Sequence, residues 1–106
     1  MHEHIFIKNI LENIPDKDNV IAIELELGEL VEIEKEHLKE HLENEVPWKI
    51  IIKEIPSKIK CSCGYVGKAN IIEKLHDIVL FECPLCKNDP EVLEGKVIKI
   101  KKITYK

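Results

Sequence analysis

The chain has 106 residues, of which 44% are hydrophobic, and its formal net charge is −4. This length suits one domain, or a small core with a metal-stabilised insertion. Every positively charged residue other than histidine is a lysine, and an acidic chain without arginine is a poor candidate for binding phosphates or nucleic acid. No apolar run approaches the roughly 20 residues that a bilayer requires. We therefore expect a soluble cytoplasmic protein that does not bind membranes.

The first part of the chain predicts a helix followed by a strand. Apolar residues recur at helical spacing over Phe6–Ile14, and Pro15 ends that helix. Val20–Leu27 alternates apolar with mainly acidic residues, which is typical of a half-buried strand, and Gly28 ends it.

The next segments predict a second helix and a second strand. Glu34–Asn44 has Leu38 and Leu42 on its inner side, as expected for a helix that packs against a sheet. Trp48–Ile55 predicts a strand, because Trp48, Ile50 and Ile52 are in phase, and Pro56 ends it.

The last segment, Val92–Tyr105, is mostly β in character. Its apolar residues change phase between Ile100 and Ile103, which predicts a bulge or a twist. We expect an α/β (α+β) fold, with a small three-stranded sheet, two helices and a four-cysteine subdomain inserted before the last strand. The expected divisions are an α/β domain over 1–56 and 91–106, and a subdomain over 57–90.

The four cysteines form two short pairs, Cys61 with Cys63 and Cys83 with Cys86. Zinc prefers four soft ligands at tetrahedral corners, and two pairs on tight turns supply them. Gly64 and Pro84 are residue types that such turns use. The four cysteines are therefore the predicted ligands of a structural Zn²⁺, held in a closed site.

The sequence leaves two other uses of these cysteines open. Two disulfides would require an oxidising compartment, and the sequence shows no sign of export. A redox-active Cys83–Cys86 pair would leave Cys61 and Cys63 without a role.

The first residues offer a second metal site. The Met1 amine, the His2 amide and imidazole, and the Glu3 amide provide four nitrogens in sequence, and planar nitrogen coordination suits Ni²⁺ or Cu²⁺. The first N–H groups of a helix lack intrahelical partners, so a metal can replace their protons. The alternative is that His2 is an ordinary side chain at a chain end. His4 is either a further ligand or a surface residue.

A third group of possible ligands lies on the second helix. His37 and His41 are four residues apart, a spacing that can chelate a metal. No third ligand is evident from the sequence, and solvated side chains on an acidic helix are the alternative.

Several motifs, taken in order, resemble the HypA/HybF family of nickel-incorporation proteins that act in [NiFe] hydrogenase maturation. The similarity covers nearly the whole chain, with motifs at Met1-His2-Glu3, Gly28-Glu29-Leu30, Cys83-Pro84-Leu85-Cys86 and Glu91-Val92-Leu93-Glu94-Gly95.

The resemblance implies a nickel metallochaperone. It implies that His2 and Glu3 are nickel ligands, with Glu34 nearby as a weaker candidate, and that Ni²⁺ is the cargo while Zn²⁺ is structural. The implied partners are a HypB-like GTPase and the hydrogenase large subunit, or urease in some organisms. The sequence leaves open whether the chain is a monomer or a homodimer.

Two other classes of function are weighed against this one. A zinc-ribbon nucleic-acid or transcription module would use the same cysteines and a lysine cluster near the end of the chain, although such lysines are also typical of an edge strand. The cluster comprises Lys96, Lys99, Lys101, Lys102 and Lys106. We expect no enzyme, because the chain has no phosphate-binding loop and no nucleophile with a base and an orienting group.

Overall fold

The computed structural model describes residues 3–74 and 78–106, with side chains from Ile5 onward. Two helices, eight strands and one 3₁₀ turn are present in this part of the chain. In chain order they are α1 (Glu3–Glu12), the 3₁₀ turn (Lys17–Asn19), β1 (Val20–Gly28), α2 (Lys35–Glu45), β2 (Lys49–Ile55), β3 (Lys58–Lys60), β4 (Val66–Gly67), β5 (Asn70–Lys74), β6 (Val79–Glu82), β7 (Glu91–Glu94) and β8 (Ile98–Tyr105).

The larger sheet has the strand order β2-β1-β8. Strand β2 lies parallel to β1 and follows it through α2, whereas β8 is antiparallel to β1. A parallel pair requires a long crossover, and α2 supplies it. The predicted three-stranded sheet with two helices is therefore confirmed.

The alternation along β1 determines which face of this sheet is buried. Ile23, Leu25 and Leu27 are completely buried, and Glu24 and Glu26 between them are half-buried. Both helices contribute apolar residues to the same core: Ile7, Ile10 and Ile14 from α1 and the turn after it, and Leu38 and Leu42 from α2. Burial of these side chains is the main stabilisation of this part of the molecule.

Strand β8 contains the predicted irregularity. Glu24 pairs with Lys102 and Leu25 pairs with Ile100, so Lys101 has no partner on β1. One extra residue changes the phase of the strand. This bulge allows Ile100 and Ile103 to pack against the same core.

The cysteine region forms a second, smaller unit. Strand β3 lies between β4 and β7, and β5 and β6 form a separate two-stranded sheet. Strand β7 pairs with β3 rather than with the larger sheet. Val92–Tyr105 is therefore two strands instead of one, because Gly95 adopts a φ of 99° and turns the chain between them.

The two units meet at a close backbone crossing. A Cβ atom at Gly28 would lie 2.3 Å from the backbone of Gly95. Next to it, Leu30 leaves the larger core and is buried in the smaller one, beside Ile59 and Cys83. Gly28-Glu29-Leu30 is thus the segment where the end of β1 joins the cysteine unit. In the described ranges, no helix is long and apolar enough to cross a membrane.

Candidate metal centre

The four cysteines converge on one point. Cys61 and Cys63 follow β3, Cys83 follows β6, and Cys86 lies three residues later. All four sulfur atoms lie within 4.8 Å of one another. A metal held tetrahedrally by thiolates at about 2.3 Å requires sulfurs about 3.8 Å apart. The cluster therefore has the size and the donor set to hold one metal ion, as the sequence predicted.

The sulfur distances also bear on the two alternative uses of the cysteines, disulfides and a two-cysteine redox site. The shortest contacts join the two pairs, with 3.2 Å between Cys61 Sγ and Cys86 Sγ and 3.7 Å between Cys63 Sγ and Cys83 Sγ. Both exceed the disulfide bond length of about 2.05 Å, and all four cysteines are free thiols. Cys61 and Cys63 lie next to the Cys83–Cys86 pair. A redox site made of Cys83 and Cys86 alone would not require these two additional cysteines.

Each pair sits on a tight turn closed by backbone hydrogen bonds. In the first turn, Cys61 N–H donates to the Tyr65 carbonyl at 2.9 Å, and Gly64 N–H donates to the Cys61 carbonyl at 2.9 Å. In the second, Cys83 N–H donates to the Asn88 carbonyl at 3.2 Å, and Lys87 N–H donates to the Cys83 carbonyl at 2.9 Å. The two turns are close counterparts, although their cysteine spacings differ.

The residue after the second cysteine of each pair has a left-handed backbone. Gly64 has a φ of 98°, and Lys87 has a φ of 62°. The sequence predicted Gly64 and Pro84 as the turn residues and gave no indication of Lys87. A lysine in the left-handed backbone conformation costs about 1–2 kcal/mol, whereas a glycine adopts it without this penalty. The second turn is therefore strained at Lys87, and the first turn is not strained at Gly64.

Backbone N–H groups surround the sulfurs and affect their protonation. The N–H of Cys63, with help from the Cys86 thiol, lowers the pKa of Cys61 to about 6. The N–H of Asn88 lowers the pKa of Cys86, but the neighbouring thiols and burial outweigh it and raise that pKa to about 12. Similarly, the N–H of Tyr65 lowers the pKa of Cys63, but burial and the Cys83 thiol raise it overall. Because negative charges on four close sulfurs repel one another, the ionisation of one cysteine disfavours the ionisation of the others. A bound cation removes this penalty by compensating the charge.

Two of the four sulfurs are part of the smaller core. Cys61 and Cys83 are buried with Leu30 and Ile59, whereas Cys63 is exposed and Cys86 is half-buried. Metal binding and packing of this core therefore depend on the same side chains.

A buried acidic residue next to this unit was not predicted as a functional residue. Glu29 is 8% exposed, and its Oε2 accepts hydrogen bonds from Ser57 N–H at 2.6 Å and Ser57 Oγ–H at 2.5 Å. Ser57 Oγ in turn accepts from Ala69 N–H at 3.0 Å, and Lys68 Nζ lies 3.3 Å from Glu29 Oε1. Burial raises the pKa of Glu29, but the two Ser57 hydrogen bonds and Lys68 outweigh it, so the net pKa is lowered.

The predicted nickel ligands lie at the beginning of the chain. Met1 and His2 lie outside the described residues, and Glu3 and His4 are described only as the first residues of α1. Glu34 is exposed and precedes α2. His37 and His41 are both exposed on α2.

Comparisons with known proteins agree with this architecture. A family model described as hydrogenase/urease nickel incorporation, metallochaperone, hypA matches residues 1–105. The fold resembles the solution structure of the nickel metallochaperone HypA from Helicobacter pylori, with a TM-score of 0.63 and 16% identity over 99% of this chain and 97% of that chain. No curated protein sequence matches this chain. Because the family model spans nearly the whole sequence, this chain belongs to the HypA family of metallochaperones for hydrogenase and urease nickel incorporation.

Proposed function

We propose that this protein carries Ni²⁺ for the maturation of [NiFe] hydrogenase and binds the cargo at its N-terminal Met-His-Glu segment. The observation that supports this function most directly is the family match over residues 1–105, in a chain whose four cysteines form one metal-sized cluster. The protein acts by binding and delivery rather than by catalysis.

The cargo site consists of His2 and Glu3, together with the Met1 amine. Nitrogen donors in sequence form fused chelate rings, and their planar arrangement suits Ni²⁺. A planar site leaves both axial directions open, so an acceptor ligand can attack the ion before the first ligands leave. Such a chelate would allow the ion to be transferred by ligand exchange.

The resident metal is a structural Zn²⁺ bound by Cys61, Cys63, Cys83 and Cys86. Zinc has no redox chemistry and prefers tetrahedral thiolate sites, and the sulfur spacing supports such a site. The smaller unit has only a small buried core of its own. Metal binding supplies the folding free energy that such a core lacks.

We propose two units that correspond to the two metals. The nickel unit comprises 1–56 and 91–106, and the zinc unit comprises 57–90. The pairing of β7 with β3 supports one adjustment to this proposal, in which Glu91–Glu94 belong to the zinc unit and the boundary lies at Gly95.

The proposed partners are a HypB-like GTPase and the large subunit of the hydrogenase, in the cytoplasm. The chain acts as a monomer or a homodimer. The nucleic-acid alternative receives no support from the lysines of β8. Lys101 Nζ lies 3.3 Å from Glu26 Oε2, so the adjacent strand partly neutralises this lysine, and Lys99 lies opposite Glu26 in the strand register.

Hydrogenase activity in cells that lack this protein tests the proposal. We expect low activity that is restored by the intact protein or by excess Ni²⁺ in the medium, but not by His2→Ala at limiting Ni²⁺. Glu12→Gln is the matched control, because it removes an exposed α1 carboxylate distant in sequence from the first residues. Activity that is independent of the protein at every nickel concentration would refute the function.

A further inference from the structure

Helix α2 carries two imidazoles in chelating positions. It spans Lys35–Glu45, and Leu38 and Leu42 on its inner side are completely buried. His37 and His41 each precede one of these leucines and are exposed. Residues four apart lie on one helix face with Cβ atoms about 5–6 Å apart. The two imidazoles can therefore reach the same ion.

Both imidazoles are exposed in the described part of the chain. Within the part of the chain that the structure describes, no hydrogen bond or ion pair involves His37 or His41. The backbone that carries them is fixed, because the helix is anchored in the core through Leu38 and Leu42. Binding therefore requires ordering of two side chains and little else, which keeps its entropic cost small.

The surroundings of the pair attract cations. Five glutamates and two lysines occupy α2 and the residue before it, and most of them are exposed; the glutamates are Glu34, Glu36, Glu40, Glu43 and Glu45, and the lysines are Lys35 and Lys39. Such an acidic surface raises the local concentration of divalent ions. Glu40 is three residues after His37, which is another spacing that brings side chains together on a helix.

We propose that His37 and His41 form a second divalent-metal site, in addition to the four-cysteine cluster and the proposed N-terminal chelate. Imidazole ligands suit borderline ions such as Ni²⁺, Cu²⁺ and Zn²⁺. Among the described residues, only the cysteines form a gathered group of three or more potential ligands. The helix site therefore offers two imidazoles, with water in the other positions, and its ion exchanges readily.

In a nickel carrier, an exchangeable site on α2 would serve as a first binding site for the ion. It concentrates Ni²⁺ at the protein surface, and a tighter chelate then takes the ion over. This role rests on the proposed function, whereas the binding of metal to α2 does not.

The test is a Ni²⁺ titration of zinc-loaded protein that carries His2→Ala, so that the proposed N-terminal chelate is removed. NMR signals of the imidazole Cε1–H groups report which histidines the paramagnetic ion approaches. We expect the signals of His37 and His41 to lose intensity together, before that of His4, and the isotherm to reach one ion per chain.

Two further variants in the same background decide the outcome. His41→Gln removes one ligand, and the double variant Lys39→His/His41→Lys keeps two histidines and the same charges but places them two residues apart, on different faces. Both should weaken Ni²⁺ binding at least tenfold, with helix content and thermal stability unchanged.

Equal affinity in the double variant, or uniform loss of all histidine signals, would overturn the helix site. Failure of the N-terminal proposal gives a different result. His2→Ala would then leave total nickel binding unchanged, while the two helix variants would still weaken it.

Discussion

Glu29 and Ser57 join the two units of the molecule through one carboxylate oxygen. Glu29 Oε2 accepts both the backbone N–H and the hydroxyl of Ser57, at 2.6 and 2.5 Å. Glu29 directly follows β1 of the larger sheet, and Ser57 precedes β3 of the cysteine unit. Because the Glu29 side chain is only 10% exposed, water cannot easily replace these bonds if one partner is lost.

Replacing Glu29 by Gln should destabilise the protein by about 1–3 kcal/mol near pH 7, because a neutral amide accepts the two hydrogen bonds less strongly. The lowered pKa of Glu29 means that its stabilisation is present above its ordinary value of 4.5 and is lost as the pH falls through the lower folded-state pKa. The difference between wild type and variant should therefore shrink at pH 3. Urea unfolding at pH 7, 5 and 3, with the metal content measured at each pH, checks this.

The control for this prediction is Lys68→Met. The Lys68 side chain is 64% exposed, so its ion pair with Glu29 should contribute less than about 1 kcal/mol. A constant difference between wild type and Glu29→Gln from pH 7 to pH 3 would contradict the assigned role of the carboxylate.

Gly28→Ala should destabilise the protein by about 3 kcal/mol or more, because the new Cβ would lie 2.3 Å from the backbone of Gly95, which cannot move aside as a flexible side chain can. Gly64→Ala is the comparison. Its Cβ would meet nothing within 4 Å, so only the positive φ of 98° is unfavourable, at about 1–2 kcal/mol. Thermal unfolding that ranks Gly64→Ala as the more harmful variant would refute the close crossing.

Lys87→Gly should stabilise the protein. Glycine relieves the left-handed strain at a φ of 62° but loses more entropy on folding, and the net gain should be about 0.5–1 kcal/mol. For a domain of this size we expect the Tm of the zinc-loaded protein to rise by about 2–5 °C. Lys87→Ala removes the same charge and keeps the strain, so it should give no such rise. Equal Tm values for the two variants would show that the strain is not the cause.

Cys83→Ser should abolish zinc binding and unfold the smaller unit, since this sulfur is both a proposed ligand and a completely buried part of the core. Hydrogen exchange should accelerate in β3 and β7 and remain slow in β1. Ser62→Ala is the matched control, because Ser62 is exposed between two ligands and contributes no sulfur. Full zinc stoichiometry with native protection in Cys83→Ser would disprove the four-cysteine site.

The long helices and strands could be predicted from the sequence because each contains several repeats of its characteristic apolar spacing. Val20–Leu27 and Glu34–Asn44 correspond to β1 and α2 within one residue at each end. The change of phase after Ile100 indicated the bulge at Lys101. By contrast, β3, β4 and β7 have two to four residues each, which is too short for an alternating pattern, and their pairing depends on the two cysteine turns.

The candidate site was also predicted only in part. The cysteine spacing indicated the cluster, because few other structures require two such pairs. Nothing local marks Lys87 as a left-handed residue, since lysine rarely adopts that conformation. Glu29 and Ser57 are 28 residues apart, and their contact depends on how the two units pack together. Such a contact is a property of the fold rather than of any short motif.

Nickel titration of the untagged, zinc-loaded protein tests the central claim most directly. The parent is compared with His2→Ala and with a variant that carries two extra residues before Met1. The account predicts that both variants lose one tightly bound equivalent of Ni²⁺, because the first removes the imidazole and the second displaces the terminal amine. Tight nickel binding that is unchanged in both variants, or absent from the parent, would contradict a nickel carrier that binds its cargo at the N-terminus.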